Sequence, residues 1–494
     1  MSQLGSIVIL GGGTAGWLAG ALLSQHLGQS CCITLVESQE LGTIGLGEST
    51  VPPFVGLIKS LGMDEREFVQ ATGATYKLGI EFLDWQHKQT RYFHPFGSLG
   101  ARIYSQDFYQ CWLKARAQGI AAPLQNFSPC QVMAREGRFW PPGMAQHTPI
   151  GGANYALHVD ASRVAEVLKT YALARDLKHQ QGQVHSVSRR DNGFIHSLKL
   201  DTGIEIEGDF FIDCTGFKSL LLDKTLGVEF EDWSAYLPCD RAVVLRGEAQ
   251  SGVVPYTQAR ARDSGWSWRI PLQHRTGEGY VYASAFCSDN KACETLLAGI
   301  KQPLEAPRVL PFTTGHRREF WRGNCLGLGL AAGFIEPLEA TAIHLIARGL
   351  DFFLRFLPEA NCHPSLSRAY NQRMSADFRE VRDFVQLHYV TSQRTDSAFW
   401  RHCQQLPLAD SLQERIELFK AQGLVSEQGD DLFRASSWQA VFEGMGIQPR
   451  HYSPKVAHLQ EAQLKEELQK TEAAILAMVK TLPKHEAFLR GDMG

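Results

Sequence analysis

The strongest constraint on the fold sits at the start of the chain, where the apolar run SIVIL (residues 6–10) passes directly into Gly11-x-Gly13-x-x-Gly16. A short apolar run of this kind is what a strand buried in a parallel sheet requires. Residues 17–27 have the length and apolarity of a helix, and residues 32–36 (CITLV) form a second β-branched run. The three segments predict a βαβ unit that opens on a dinucleotide-binding turn. In that turn Gly11 permits the tight bend, Gly13 lets a pyrophosphate approach the backbone, and Gly16 lets the helix pack closely on the strand. Thr14 and Ala15 complete the loop, whose amides and helix dipole face the phosphates. Glu37 closes the second strand 21 positions after Gly16, where its carboxylate accepts hydrogen bonds from ribose hydroxyls and repels a 2′-phosphate.

Two later segments favour FAD over NAD. One is Phe211-Ile212-Asp213-Cys214-Thr215-Gly216; the other is residues 327–333 (GLGLAAG), a small-residue turn ending at Gly333 that lets a bulky ring system lie against backbone. No second strand-linked GxGxxG offers a separate NAD(P)H site, so electrons are expected from another protein. Residues 205–214 read as one strand, and residues 241–247, 266–272 and 280–286 read as antiparallel strands of an inserted sheet. From Thr341 onward the pattern turns helical, with amphipathic stretches at 343–356, 366–389 and 456–481. The expected class is α/β: an FAD-binding, Rossmann-like domain over residues 1–350 with an interleaved antiparallel substrate sheet, followed by a helical C-terminal region over residues 351–494.

Composition excludes several classes of partner. The 494 residues carry a formal charge of −3, far from the basic balance that nucleic acid attracts. Eleven cysteines show neither CxxC pairs nor zinc-type Cys/His spacing, which reads as free thiols in a reducing compartment and no metal. The uncharged stretch before Glu37 lacks a basic leader and is broken by Gly11, Gly12 and Gly13, so no signal peptide or membrane span is expected and the protein reads as cytoplasmic.

Against this background the sequence resembles the flavin-dependent tryptophan halogenase family, on GGGTAGW (11–17), IGLGEST (44–50), YKLGIEF (76–82), FHPFG (93–97), FIDCTGF (211–217), GWSWRIP (265–271) and FIEPLEATAIHL (334–345). The resemblance is carried most specifically by Trp266-x-Trp268-x-Ile270-Pro271, and Trp266 and Trp268 are expected to wall the flavin off from substrate. It implies that reduced FAD from a partner NAD(P)H-dependent flavin reductase reacts with oxygen to a flavin hydroperoxide. Halide attacks that hydroperoxide, and the hypohalous acid so formed travels through a tunnel to a lysine beside the arene. Lys77 takes the lysine's position, and Glu339 that of the glutamate in the PLE motif. Thr341 and Ala342 supply the amides that hold halide, while His94 and Phe96 are the rings that sandwich an indole. The residue types suit these tasks: an ammonium can polarise hypohalous acid or, as free amine, form a haloamine, and a carboxylate can take the proton lost when the ring regains aromaticity.

Two departures from the family pattern bear on substrate and halide. Ala340 and Ala342 stand where the familiar PLESTG run has Ser and Gly, which puts halide choice between bromide and chloride in question. The C-terminal series that clasps the charged end of free tryptophan is absent, and the corresponding stretch reads SWQAVFEGMG (437–446), with Trp438 as its substrate-facing ring. An indole-type substrate less charged or larger than free tryptophan is expected, with bromination favoured. A flavin-dependent aromatic hydroxylase, or a non-catalytic FAD-binding protein, would reuse the nucleotide turn without needing Lys77.

Overall fold

The computed structural model describes residues 4–38, 47–249, 251–427 and 429–492; Ile44, Gly45 and Leu46 of the IGLGEST motif lie outside them. The chain forms two compact units, each gathered from three separate segments. The first takes Met1–Ala74, Val159–Asp240 and Pro311–Arg382; the second takes Thr75–His158, Arg241–Leu310 and Asp383–Gly494.

The first unit is built on the predicted βαβ start. Strand β1 (Ser6–Leu10) lies between β2 (Cys32–Glu37) and the strand Phe210–Asp213, parallel to both, with Lys178–Gln181 and Cys325–Gly327 continuing the parallel order outward. Ile7, Val8, Ile9 and Leu10 are all buried, as in a parallel sheet covered on both faces. Helix α1 (Thr14–Leu27) buries Gly16 to Ser24 without a break, so its pattern is apolar rather than amphipathic. The stretch read as one strand at 205–214 is two. Glu205–Glu207 pairs antiparallel with Ile195–Leu200 in a small separate sheet, and only Phe210–Asp213 joins β1. The break falls at Gly208, where a Cβ would stand 2.9 Å from a Val8 methyl, and at Asp209, whose carboxylate accepts from the amides of Gly5 and Ser6.

The second unit carries the sheet expected to be antiparallel, with Arg241–Glu248, Arg275–Tyr282, Gly265–Pro271, Thr257–Arg262, Gly79–Leu83 and Arg91–Pro95 side by side in that order, but it is mixed: Thr257–Arg262 and Gly79–Leu83 run parallel, because they come from separate segments of the chain rather than from one hairpin, while the other pairs are antiparallel. The strand expected at 280–286 ends at Tyr282, because the amides of Phe286 and Cys287 turn back to the Ala283 carbonyl. Helices Ala398–Cys403, Asp410–Gln422, Ala435–Gly444, Glu461–Thr481 and His485–Arg490 make up most of the C-terminal part. The helix expected from residue 456 starts only at Glu461. The buried Lys114 ammonium donates to the carbonyls of Val456, Ala457 and Leu459, groups that a continuous helix would have paired internally. Among the described residues no helix is long and apolar enough to cross a membrane, and no cluster of His, Cys, Asp or Glu could hold a metal ion.

Candidate active site

The nucleotide turn of the first unit is shaped by what glycine lacks. Gly11 has φ +117°, and a Cβ there would come within 2.3 Å of the Cys214 carbonyl oxygen. A Cβ on Gly16 would stand 1.8 Å from the Gly11 oxygen, so the third glycine is what lets α1 start directly against the turn. At Gly13 a Cβ would meet no protein atom within 4 Å. Packing therefore gives no reason for glycine there, whereas a diphosphate approaching the backbone does. Gly13 precedes α1 with no side-chain cap, and Thr14 and Ala15 form the first helical turn. These residues fit the dinucleotide that the sequence predicts.

Glu37, at the end of β2, pairs through Oε1 with Lys169 at 3.0 Å and lies 2.8 Å from the His179 ring, while Oε2 is turned toward Gly12, where a Cβ would lie 1.8 Å away. Lys169 also stands 5.1 Å over the Trp17 ring. Gly12, Trp17, Glu37, Arg163, Glu166 and Lys169 line a cleft of about 360 Å³, enough for the adenosine end of such a ligand. Lys169 and His179 are additions that no local motif marks, because they come from another segment. Glu48 lies in the described part of IGLGEST: burial, then the charge of Asp160, pushes its carboxyl up to about 7. Asp213 is buried, which raises its pKa, yet it accepts from the Thr215 amide and hydroxyl and from the amides of Leu221 and Leu222, fixing the Thr215-Gly216 turn.

The PLEATA segment folds as a 3₁₀ turn, Pro337–Glu339, followed by Ala340 at φ +60° and a helix from Ala342 to Arg355. Glu339 and Thr341 are buried, and the Thr341 side chain makes no capping hydrogen bond, so the first helical amides present the dipole's positive end with no cap from Thr341 itself. A non-glycine residue at positive φ is strained by roughly 1 kcal/mol, which holds this corner only because its surroundings do. Gly333 has a packing reason of its own: its Cβ would lie 2.7 Å from the Gly315 oxygen across a strand pair.

In the second unit the strand Thr75–Lys77 buries Lys77 completely and holds its ammonium 4.8 Å from the centroid of the Phe96 ring. His94 and Phe96 are buried at one end of Arg91–Pro95 and beyond it, with ring planes crossing at 79° and centroids 6.1 Å apart. A flat ring that stacks on one of them therefore meets the other by its edge. His94 also lies 5.3 Å from Phe384 and 6.2 Å from Phe433, which stack on each other at 3.8 Å, and Trp438 meets Phe384 edge-on at 4.7 Å. Trp438 is fully buried, its indole N–H has no hydrogen-bond partner among the described residues, and the Arg415 guanidinium lies 4.2 Å over its ring. Lys77, His94, Phe96 and Trp438 thus fall in one unit, together with Phe384 and Phe433, which sequence reading missed. Both lie in ordinary amphipathic or polar surroundings that give no signal. Trp266 and Trp268 are buried in Gly265–Pro271 of the same unit with centroids 5.7 Å apart, Ile270 and Pro271 closing that strand; Trp268 lies against Gly279, where a Cβ would come within 2.1 Å of its ring.

Comparison with known proteins gives the family and the fold. A family model described as tryptophan halogenase matches residues 6–461. Tryptophan 6-halogenase SttH from Streptomyces toxytricini is 33% identical, over 97% of this chain and 96% of its own. Among solved structures, Xcc4156, a flavin-dependent halogenase from Xanthomonas campestris, superposes with a TM-score of 0.95 at 42% identity over 99% of this chain and 98% of that one. BrvH, a flavin-dependent halogenase from Brevundimonas sp. BAL3, does so with a TM-score of 0.95 at 38% identity over 99% of each chain.

Proposed function

The chain belongs to the tryptophan halogenase family and is a flavin-dependent halogenase, and from that premise we propose that it brominates or chlorinates an indole-type ring at Lys77, with FAD at residues 11–16 and Glu37. Bound as the reduced cofactor, FAD supplies the two-electron chemistry with oxygen that turns halide into hypohalous acid. Halide rests at the amides of Thr341 and Ala342, and Glu339 orients the oxidant or takes the proton that the arene releases. Lys77 hydrogen-bonds or traps the oxidant and aims it, and the His94, Phe96 and Trp438 rings, with Phe384 and Phe433, hold the substrate by stacking and edge contacts, so that the ring position attacked follows from orientation. The reduced flavin comes from a separate NAD(P)H-dependent reductase.

The observation that carries this reading is that Lys77, at the position the family's lysine takes, is fully buried with its ammonium against the Phe96 ring, in the same unit as the His94 and Trp438 rings. A substrate other than free tryptophan is favoured by Glu443. It is the single carboxylate of residues 435–452, and it already accepts from Tyr109 at 2.6 Å and from Arg116 at 2.9 and 2.7 Å, so it serves packing rather than an amino group of substrate. The test supplies reduced FAD, oxygen and a panel of indoles with bromide, chloride or no halide, and reads products by mass. A halide-dependent product is expected, with bromide giving the higher yield. A gain of one oxygen without halide would replace the proposal with hydroxylation.

A further inference from the structure

We propose that the last helix, His485–Arg490, is a positioning element for Lys77, acting through the hydrogen bond between the Tyr76 amide and His485. The proposal rests on the reading of Lys77 as the halogenating lysine.

The strand Thr75–Lys77 is three residues long and, among the described residues, ends its sheet, pairing antiparallel with Ala156–Asp160. A strand this short is not held by propensity, and an end strand turns alternate amides away from its partner. The outward amide of Tyr76 donates to His485 Nε2 at 3.3 Å. The opposite ring nitrogen, Nδ1, lies 2.8 Å from the Val253 carbonyl and so carries the proton, which leaves Nε2 as the acceptor that Tyr76 needs. Burial pushes the His485 pKa down to about 4, consistent with a neutral ring in this arrangement. Its neighbour Glu486 accepts from the amides of Gly252 at 2.6 Å and Val253 at 2.8 Å, tying the helix to the same loop. That loop then reaches the other side of Lys77, where the Leu78 amide donates to the Pro255 carbonyl at 2.7 Å.

Apolar contacts run in parallel with these bonds. Tyr76 stacks on Phe139 at 4.1 Å, and Phe488 of the last helix meets both rings edge-on at 5.3 and 5.1 Å. One residue earlier, the Thr75 hydroxyl donates to the Pro271 carbonyl at 2.6 Å and accepts from His158, whose other nitrogen faces the Thr257 hydroxyl at 2.9 Å. Each residue flanking Lys77 is therefore fixed by a polar atom from a remote segment. On the outer side that atom belongs to the extreme C-terminal part of the chain. A reacting group displaced by about 1 Å can lose a hundredfold in rate, so a loosened strand costs product formation before it costs folding.

The experiment uses the full chain with reduced FAD, oxygen, bromide and an indole, and measures haloarene formed per flavin oxidised by folded, FAD-loaded protein. His485→Leu is expected to lower this ratio about 10-fold while KM for the indole changes by less than about twofold. His485→Gln keeps one donor and one acceptor and is expected to restore the ratio to within about twofold of the parent. A general loss of stability would reduce the amount of active protein and leave the ratio unmoved, so an unchanged ratio in His485→Leu overturns the proposal. So does an equal loss in His485→Gln. If His485→Leu does not fold, Glu486→Gln decides: a fall of about fivefold supports the proposal, and a ratio within about twofold of the parent overturns it. Lys77→Ala is run alongside. Haloarene from that variant means the reading of Lys77 has failed, whereas an inactive Lys77→Ala beside an unaffected His485→Leu means that only the positioning role has failed.

Discussion

At residues 11–16 of the first unit, side chains contribute little and backbone shape sets the proposed nucleotide site; around Lys77 in the second unit, backbone is scaffolding and seven buried side chains from five stretches of chain make up the proposed halogenation site. The turn works because Gly11, Gly12 and Gly16 each leave room where a Cβ would collide with protein. In the proposed halogenation site Lys77, His94, Phe96, Phe384, Phe433, Trp438 and, behind the strand, His485 each supply a ring or a charge. A backbone site fails by steric collision, abruptly and wherever a methyl is added. A side-chain site fails by degrees, according to which group is removed.

That contrast can be broken in four ways. Lys77→Ala is expected to reduce haloarene formation by about 10³-fold while FAD affinity stays within about twofold, measured by product mass and flavin fluorescence. Retained halogenation would remove the second region's claim to the chemistry. Gly16→Ala adds a methyl whose position lies 1.8 Å from the Gly11 oxygen, and a clash of that kind, at a few kcal/mol, is expected to weaken FAD binding by about 100-fold. Wild-type affinity in that variant would mean that the turn is not shaped as a backbone cradle.

Glu48 probes electrostatics in the first unit. Its carboxyl titrates near 7 when folded and at 4.5 as its ordinary value, so between those pH values the native state keeps a proton that the unfolded chain has released. Stability is therefore lost as pH rises through that window and the loss is complete above about 7. Glu48→Gln is expected to be more stable than the parent by roughly 1–3 kcal/mol at pH 8 and to match it near pH 4, as read by denaturant unfolding. A pH-independent difference would contradict the assignment. The smallest effect is expected for Phe433→Ala, which removes the partner stacked at 3.8 Å on Phe384. KM for the indole should rise about fivefold with kcat less affected, the magnitude of one aromatic contact. A loss confined to kcat would instead place Phe433 among the groups that align the reacting atoms.

Legibility followed the same line as the contrast. The nucleotide turn was readable because its strand, glycines, helix and terminal acid lie within residues 6–37, and spacing alone places them on one surface. Lys77, Glu339 and the His94–Phe96 segment were reached through family resemblance, since nothing local distinguishes a buried lysine from an exposed one. Phe384 and Phe433 went unread because an aromatic residue inside an amphipathic helix or a polar loop looks like any core residue. The late start of Glu461–Thr481 was hidden for a related reason: helical periodicity begins at 456, but Lys114, more than 300 residues earlier, captures the carbonyls there.

The sequence by itself determined the parallel βαβ start, the dinucleotide turn and the membership of a flavin-dependent halogenase family, because each depends on contacts between near neighbours in the chain or on motifs written contiguously. Only the tertiary structure decided that each unit gathers three separate segments, that Glu37 is held by Lys169, and that His485 bonds the strand bearing Lys77. Those outcomes depend on pairings across one hundred to four hundred residues, which burial and hydrogen bonding select among compact arrangements and which no local pattern of residues records.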